Sequence, residues 1–234
     1  MDLATKLLTI EEWHALRLSF QVAVCAALFG LPFAVAVGYW LARSAARGKW
    51  LVEVLVNLPL VLPPVVVGYL LLVGFSPTGP VGSRLLAWFG VEVVFTWWAA
   101  AMASVVVSFP LMVRAMRLAF QEIDPRLEMA AQSLGAGPLR SFLTVSLPLA
   151  RRGLIAGCVL GFARSLGEFG ATIMVAGNIE GETRTIPLAI YSLTGQPGGM
   201  GQSWRLVGLA VALACVALAA SEWLQRRQSA DAVA

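Results

Sequence analysis

The sequence predicts an all-α polytopic membrane protein, and two features of its composition carry this prediction. Hydrophobic residues make up 59% of the 234 positions and charged residues only 13%, whereas roughly a quarter of a soluble domain is charged. The charges also lie in short islands between apolar runs of about 20 residues, the length that a helix needs to cross a ~30 Å hydrocarbon core. We therefore predict one transmembrane helical domain that takes up residues 1–234.

Five apolar runs are long enough to cross a membrane. They cover approximately residues 16–41, 51–75, 91–118, 147–175 and 206–223. A further apolar segment, residues 186–193, is too short to cross and predicts a re-entrant or surface helix. Pro63 and Pro64 favour a break inside the second run, which is either a packing kink or the hinge of a gate. The first run is too long for a cleaved signal, so we expect it to be retained as a helix.

The positions of arginine and lysine predict the orientation in the membrane. Most of them follow the first run, surround the gap between the third and fourth runs, or follow the fifth: Arg43, Arg47, Lys49, Arg114, Arg117, Arg126, Arg140, Arg151, Arg152, Arg226 and Arg227. The opposite side carries only Lys6, Arg17, Arg84, Arg184 and Arg205. Since loops rich in lysine and arginine stay in the cytoplasm, five spans place the N-terminus outside and the C-terminus inside. Six spans would put the last basic pair outside, against this rule.

No residue pattern predicts a metal site or an enzyme. The cysteines Cys25, Cys158 and Cys215 lie singly in separate apolar runs, so we expect them to be packing residues. The single histidine, His14, has no partner ligand nearby, and the sequence contains no HExxH or nucleophile motif. A secondary transporter would need internal repeats around an ion site at the midplane, and no clear repeat is visible. The sequence also lacks the GxxxxGK[ST] phosphate loop, so we do not expect the chain to bind ATP.

The segment between the third and fourth runs, about residues 122–140, predicts a short helix between two tight breaks. Asp124 followed by Pro125 is typical of a helix start, with an N-cap carboxylate and proline at the first helical position. Gly135 suits the left-handed position that ends a helix, and Gly137 followed by Pro138 permits a sharp turn into the next one. We therefore expect a helix of about ten residues on the cytoplasmic side.

One face of this short helix is apolar. Four residues share it at i, i+3, i+4, i+7 spacing: Leu127, Ala130, Ala131 and Leu134. We call this set the docking face. Two interpretations are open, an interfacial helix on lipid or a helix that docks into a groove of another protein. Alanines bury little area in lipid, so the residues alone favour docking.

The same segment resembles the EAA signature of permease subunits from ABC importers, which is Glu-Ala-Ala, three residues, Gly, nine residues and Ile-x-Leu-Pro. The matching positions are Ala130, Ala131, Gly135, Val145 (in place of isoleucine), Leu147 and Pro148. Met129 stands where the signature has glutamate and Glu128 lies one residue early, which weakens any role for that carboxylate but preserves the geometry of helix and turn. The resemblance implies a five-span core bundle of the ABC importer type with a cytoplasmic coupling helix.

The resemblance also implies that the coupling helix contacts a separate ATPase subunit, which would bind ATP-Mg. The residues implied in this contact are Asp124, Pro125, Glu128, Met129, Ala130, Ala131, Leu134, Gly135, Ala136 and Gly137. No cofactor is expected on this chain itself.

The fourth run carries two charges on the same side as three glycines. These residues are spaced by 4, 4, 3 and 4 positions, so a helix places them on one narrow arc: Gly153, Gly157, Gly161, Arg164 and Glu168. We call them the polar stripe. Glycines at this spacing allow close helix contact, and charges at membrane depth face the bundle interior or a wet cavity. We therefore expect the polar stripe to face a subunit interface or a central cavity.

Two interpretations of the charged pair are open. In the first, Arg164 and Glu168 satisfy one another and hold the helix in register. In the second, Arg164 supplies positive potential to an anion pathway and Glu168 keeps it in place.

The loop after the fourth run is polar and predicted to lie outside. It contains Asn178, Glu180, Gly181, Glu182 and Arg184. It is either a solvated connection or the contact surface for a soluble protein that delivers the cargo.

A longer stretch of sequence indicates which group of ABC importer permeases the chain resembles. The sequence ARSLGEFGATIMVAGNIEGETRTIPLAIYSL, residues 163–193, resembles molybdate importer permeases, as do LPLVLPPVVVGYLLL and SFPLMVRAMRLAF. Sulfate and thiosulfate permeases share a GEFG-like element but are usually longer, so molybdate is the favoured cargo, with tungstate second. The resemblance implies a homodimer of this chain in the inner membrane, two ATPase subunits, an external oxyanion-binding protein, contact with lipid and no nucleic acid.

Overall fold

A computed structural model describes residues 9–230. Lys6, counted above among the outer basic residues, and the side chains of Arg226 and Arg227 lie outside the described part. Every regular element between residues 9 and 230 is helical, in agreement with the all-α prediction. The helices are α1 (Ile10–Arg43), α2 (Lys49–Val61), α3 (Pro64–Phe75), α4 (Gly82–Phe89), α5 (Trp97–Gln121), α6 (Pro125–Ser133), α7 (Pro138–Leu149), α8 (Arg151–Leu166), α9 (Gly170–Val175), α10 (Ile186–Thr194) and α11 (Gly199–Ala230).

Within residues 9–230, three helices are long and apolar enough to cross a membrane: α1, α5 and the first part of α11, residues 199–220. Two further candidates are bent pairs, α2 with α3 and α7 with α8, whose axes differ by 109° and 73°. The five predicted spans correspond to the three straight helices and the two pairs, with each pair counted as one span.

The break in the second span is confirmed. Helix α2 ends at Val61, and Leu62 and Pro63 are extended before Pro64 begins α3. Proline lacks the N–H that would continue the first helix, and its ring pushes the preceding residue out of helical geometry. The resulting bend lays α3 against α9, so closely that a Cβ at Gly68 would lie 2.5 Å from the carbonyl oxygen of Ala171.

The first and third spans differ from their predicted bounds because of capping. Helix α1 starts six residues early, at Ile10, where the Thr9 hydroxyl accepts a bond from the Glu12 N–H and the Glu12 carboxylate accepts one from the Thr9 N–H. Helix α5 starts six residues late, because Thr96 caps it by accepting from the Ala99 N–H. Hydrophobicity alone does not mark such ends, whereas side-chain oxygens that satisfy free N–H groups do.

The fourth span is not the continuous helix over residues 147–175 that we predicted. It begins earlier, at Pro138, bends at Ala150, and ends at Leu166 with Gly167 as its C-cap. A separate short helix, α9, starts only at Gly170. The two charges of the polar stripe therefore flank a helix end rather than lying inside an unbroken helix.

The short apolar segment forms α10, which has nine residues and is too short to cross. One face of it packs against the bundle, since Ile186, Leu188 and Ala189 are buried, whereas Tyr191 is 58% exposed. The choice between a re-entrant and a surface helix stays a prediction. The Ile186 N–H donates to the Ser19 hydroxyl of α1 at 2.7 Å, and a cluster with Ala15 and Leu206 joins α10 to α1 and α11.

The centre of the bundle is the contact of α1 with α5. Gly30 faces Met112 and Gly38 faces Met116, so the two helices run in the same direction. A Cβ at Gly38 would lie 2.5 Å from the Met116 Cβ. Between membrane helices such close packing, rather than the hydrophobic effect, supplies the attraction, because lipid tails are as apolar as the side chains.

Candidate functional site

Helix α6 has the ends that the sequence predicts. The Asp124 carboxylate accepts a bond from the Arg126 N–H at 2.9 Å, and Pro125 occupies the first turn. Gly135 adopts the left-handed conformation with φ of +91°. The Ala136 N–H then bonds to the Ala131 carbonyl at 3.1 Å, which satisfies a carbonyl at the end of the helix. The turn at Gly137 leads directly into α7, which starts at Pro138 as predicted.

The docking face of α6 is uncovered within this chain. The side chain of Leu134 is 90% exposed, Leu127 and Ala130 are also exposed, and Ala131 is half-buried. Met129, which stands at the glutamate position of the signature, is exposed as well. Large apolar side chains left in contact with solvent on a helix of this size mark a surface that another protein or the membrane surface can cover, so both interpretations of the docking face stay open here.

Glu128 points the other way, into the bundle, and is the only buried residue of α6. Its carboxylate accepts four hydrogen bonds: from the Tyr39 hydroxyl at 2.9 Å, from Nε and Nη2 of Arg43 at 3.0 and 2.8 Å, and from the Ser146 hydroxyl at 2.7 Å. We call Glu128, Tyr39, Arg43 and Ser146 the carboxylate clamp. The sequence did not indicate these contacts with α1 and α7. The expectation that the shift weakens the role of this carboxylate towards an ATPase stays a prediction.

The electrostatics of the carboxylate clamp favour the ionised carboxylate. Burial alone would raise the pKa of Glu128, but hydrogen bonds from Ser146, Arg43 and Tyr39, with the positive charge of Arg43, outweigh burial and lower this pKa below its usual value. Arg43 also donates to the Ile123 carbonyl at 3.1 Å, so one guanidinium holds both Glu128 and the turn before α6.

The glycines of the polar stripe do not face a subunit interface or a cavity; they pack against α5 of the same chain. A Cβ at Gly153 would collide with Ala119, one at Gly157 with the end of Met116, and one at Gly161 would lie 2.6 Å from the Met112 sulfur. This order shows that α8 runs antiparallel to α5. The spacing correctly indicated close helix contact, but it carries no information about which helix is the partner.

The charged pair of the polar stripe is formed. Nη1 of Arg164 lies 2.9 Å from Oε2 of Glu168. The other carboxylate oxygen accepts the Ala171 N–H at 2.8 Å, so Glu168 also fixes the first turn of α9. Glu168 is 3% exposed, whereas the Arg164 side chain is 29% exposed. The pair thus joins the end of α8 to the start of α9, as the first interpretation expects. The Arg164 side chain stays partly exposed, which the second interpretation requires.

The loop at residues 176–185 is held by its own side chains. Arg184 donates to the Asn178 side-chain carbonyl and to the Glu180 carboxylate, each at 3.0 Å, and Asn178 donates to the Ser192 hydroxyl of α10 at 2.7 Å. Gly181 has φ of +78°, which glycine adopts without strain, and Glu182 is exposed.

Sequence reasoning missed the neighbours of this loop. A cleft of about 530 Å³ lies between it, the start of α1 and the start of α11; its charged lining consists of Glu11, Glu12, Glu180, Arg184 and Arg205. Arg205 lies 3.3 Å from the Glu12 carboxylate. Acidic residues in the first turn of α1 are a usual helix-start signal, but nothing in their spacing indicates a contact with residue 205.

This fold is that of membrane subunits of ABC transporters. The chain superposes on a subunit of the inward-facing MetNI methionine ABC transporter with a TM-score of 0.68 and 19% identity, covering 97% of this chain and 99% of that one. It superposes on a chain of a bacterial alginate ABC transporter, solved in complex with a pentasaccharide-bound periplasmic protein, with a TM-score of 0.69 and 19% identity, covering 97% and 83%.

The sequence places the chain in a particular family. Residues 30–229 match the binding-protein-dependent transport system inner membrane component family, and the chain belongs to that family. It is 53% identical over 220 residues to the molybdenum transport system permease protein ModB of Escherichia coli K12, covering 94% of this chain and 96% of the relative. It is 52% identical over 216 residues to ModB of Haemophilus influenzae, covering 92% and 94%. The resemblance to molybdate importer permeases is confirmed.

Proposed function

We propose that this chain is the permease subunit of an ATP-driven importer that moves molybdate into the cytoplasm. The observation that carries the proposal is the 53% identity, over 94% of the chain, to a relative named as a molybdenum transport permease. The GEFG element fits an oxyanion permease in general, since sulfate and thiosulfate permeases share a similar element; its Glu168 is paired with Arg164 and accepts a bond from the start of α9. Tungstate, an oxyanion of nearly the same size and charge, is the second cargo.

The proposal includes three kinds of partner. Two copies of the chain form the pathway in the inner membrane, with the N-terminus outside and the C-terminus inside. Two ATPase subunits, which hold ATP-Mg, cover the docking face of α6, and the exposure of Leu134 supports this contact. A soluble oxyanion-binding protein meets the outer loop around Asn178, Glu180, Gly181, Glu182 and Arg184. The ion pair and hydrogen bonds of that loop support a preformed surface, which loses little entropy on binding.

The proposed mechanism is alternating access. In this mechanism the permease switches between an inward-open and an outward-open conformation. ATP drives this switch only if the closed ATPase dimer binds the outward-open permease better than the inward-open one. Arg164, whose side chain is partly exposed, supplies positive potential on the anion's route, and its pairing with Glu168 keeps the attraction weak enough for release. Selectivity among oxyanions then resides mainly in the binding protein.

The test is uptake in cells that lack their own molybdate and sulfate importers. Cells that express this chain with its ATPase and binding protein should accumulate labelled molybdate, and excess tungstate should compete while excess sulfate should not. Cells that lack only this chain are the control. Uptake of sulfate or thiosulfate in place of molybdate would contradict the assigned cargo, and uptake without the ATPase would contradict the importer class.

A further inference from the structure

We propose that Glu128 is a positioning residue that fastens the coupling helix α6 to the end of α1, so that movement imposed on α6 is passed to α1. The inference rests on the proposed function, in which an ATPase moves α6. It adds a route for that movement: through a buried carboxylate to the first span, in addition to the covalent connections of α6 to α5 and α7.

The first argument is that α6 has little else to hold it. Its two ends are breaks, at the turn before Asp124 and at the left-handed Gly135. Its only buried residue is Glu128, and its other side chains are exposed or half-buried. A short helix between two bends can rotate when it is pushed. A single side-chain attachment therefore decides whether α6 moves alone or moves the bundle.

The second argument is the geometry of the carboxylate clamp. Arg43 presents Nε and Nη2 to one carboxylate oxygen, and the Tyr39 hydroxyl bonds to the other. Both residues belong to the last turns of α1, 85 and 89 positions away from Glu128 in the sequence. Hydrogen bonds to an ionised carboxylate are shorter and stronger than neutral ones and restrict its orientation. Several such bonds from one helix resist sliding as well as separation.

The third argument is that α1 is packed to pass the movement on. Five residues before Arg43, Gly38 touches α5 so closely that no side chain fits between the helices. The ring of Tyr39 packs edge-on against Phe120 of α5 and Phe142 of α7, at centroid distances of 5.2 and 4.7 Å. Displacement of the clamp therefore displaces the contact of α1 with α5.

The fourth argument is the local structure around Ser146. Residues 142–146 of α7 form a π-helical turn, which widens the helix and is common at functional positions. Ser146 ends this turn and donates to the same Glu128 oxygen that Arg43 holds. The Ser141 hydroxyl, just before the turn, donates to the Glu128 carbonyl at 3.3 Å. The clamp thus joins three elements, α1, α6 and α7, at one residue.

The experiment uses the complete complex of this chain, ATPase and binding protein in liposomes, and measures molybdate transported per ATP hydrolysed. Glu128→Gln preserves the shape of the side chain and removes its charge. Because Glu128 is buried within this chain, we expect transport per ATP to fall by about fivefold or more, the lower end of typical coupling between sites. The amount of bound ATPase and the KM for ATP are measured in the same samples, so that the ratio is compared per bound ATPase. Glu92→Gln, the same substitution at an exposed carboxylate before α5, is the matched control and should leave the ratio unchanged.

A double variant tests whether Glu128 acts through Arg43. If the two residues form one link, Glu128→Gln with Arg43→Gln should reduce the ratio no further than the stronger single variant does. Independent, multiplying losses would contradict the clamp. Two milder variants, Tyr39→Phe and Ser146→Ala, each remove one hydrogen bond of the carboxylate clamp and should preserve the fold. They replace Glu128→Gln if that variant does not accumulate, and each should lower the transport per ATP in part.

The outcomes separate the clamp from the proposed function. If transport per ATP is unchanged in Glu128→Gln, the role of the carboxylate clamp is overturned and the proposed importer is not affected. Where Glu128→Gln does not accumulate, unchanged transport per ATP in both Tyr39→Phe and Ser146→Ala has the same meaning. A wild-type chain that binds no ATPase, or transports no molybdate, would overturn the proposed function itself.

Discussion

Arg164 and Glu168 form an ion pair whose two members are unequally buried. Glu168 is almost completely buried, whereas the Arg164 side chain is 29% exposed. Removing one partner of a buried pair leaves the other charge without compensation, and the cost depends on how deeply the remaining charge is buried. The two neutral substitutions are therefore not equivalent.

We expect Arg164→Gln to destabilise the protein more than Glu168→Gln. The arginine variant leaves a buried carboxylate without its partner. The glutamate variant leaves a partly exposed Arg164 side chain and a side-chain carbonyl that can still accept from the Ala171 N–H. A difference of about 1–3 kcal/mol, the cost of an unsatisfied buried group, should appear as a lower unfolding temperature in detergent. The double variant should cost less than the sum of the two. Equal losses would contradict the assigned burial of the pair.

The same comparison separates the two interpretations of the pair. If the pair only holds α8 and α9 in register, the double neutral variant, once folded, should transport normally. If Arg164 supplies potential to the anion, both variants that lack it should import less molybdate per folded molecule than Glu168→Gln.

Among the helix contacts, that of α1 with α5 depends on Gly38. Gly38 faces backbone as well as side chain, since a Cβ there would lie 3.0 Å from the Arg117 nitrogen and 3.2 Å from the Val113 carbonyl oxygen. Backbone cannot move aside as a flexible side chain can. Gly38 therefore limits how far α1 can approach or slide along α5.

We expect Gly38→Ala to destabilise the bundle by about 1–3 kcal/mol, the usual cost of overpacking. The matched control is Gly74→Ala in α3, where an added Cβ meets nothing within 4 Å. There alanine should be neutral or slightly stabilising, because it favours helix. Thermal unfolding of both variants in the same detergent checks the prediction, and equal stability of the two would contradict the close contact.

The elements show what the sequence could predict and what it could not. Apolar length predicted five spans, and the residues flanking α6 predicted both its ends, because caps and left-handed glycines act locally. The break after Leu166 was missed, since it depends on Glu168 bonding to the start of α9. The inward turn of Glu128 was missed because its partners lie 85 and 89 residues away. The partner of the glycines was misassigned, as spacing describes one helix surface but not its neighbour.

The whole molecule presents two different surfaces at the two ends of its bundle. At one end, polar side chains of the loop at residues 176–185 bond to one another and to α10, so that surface is already ordered. At the other end, α6 exposes apolar side chains on a helix attached to the bundle through Glu128. A preformed polar surface suits a partner that binds and leaves, whereas an exposed apolar face suits one that stays bound.

The proposed contact between α6 and an ATPase can be tested with one residue of the docking face. Leu134 is 90% exposed, so Leu134→Asp removes almost no contact within this chain and should leave its unfolding temperature unchanged. If an ATPase groove covers this side chain, a charge there should weaken the complex by about tenfold or more, as for central interface residues. Co-purification of the ATPase at increasing dilution measures the effect. Val81→Asp, a change at an exposed apolar residue before α4, is the control and should retain the ATPase. Equal retention by both variants would mean that α6 docks elsewhere, because a carboxylate buried in an apolar groove without a partner cannot be neutral in energy.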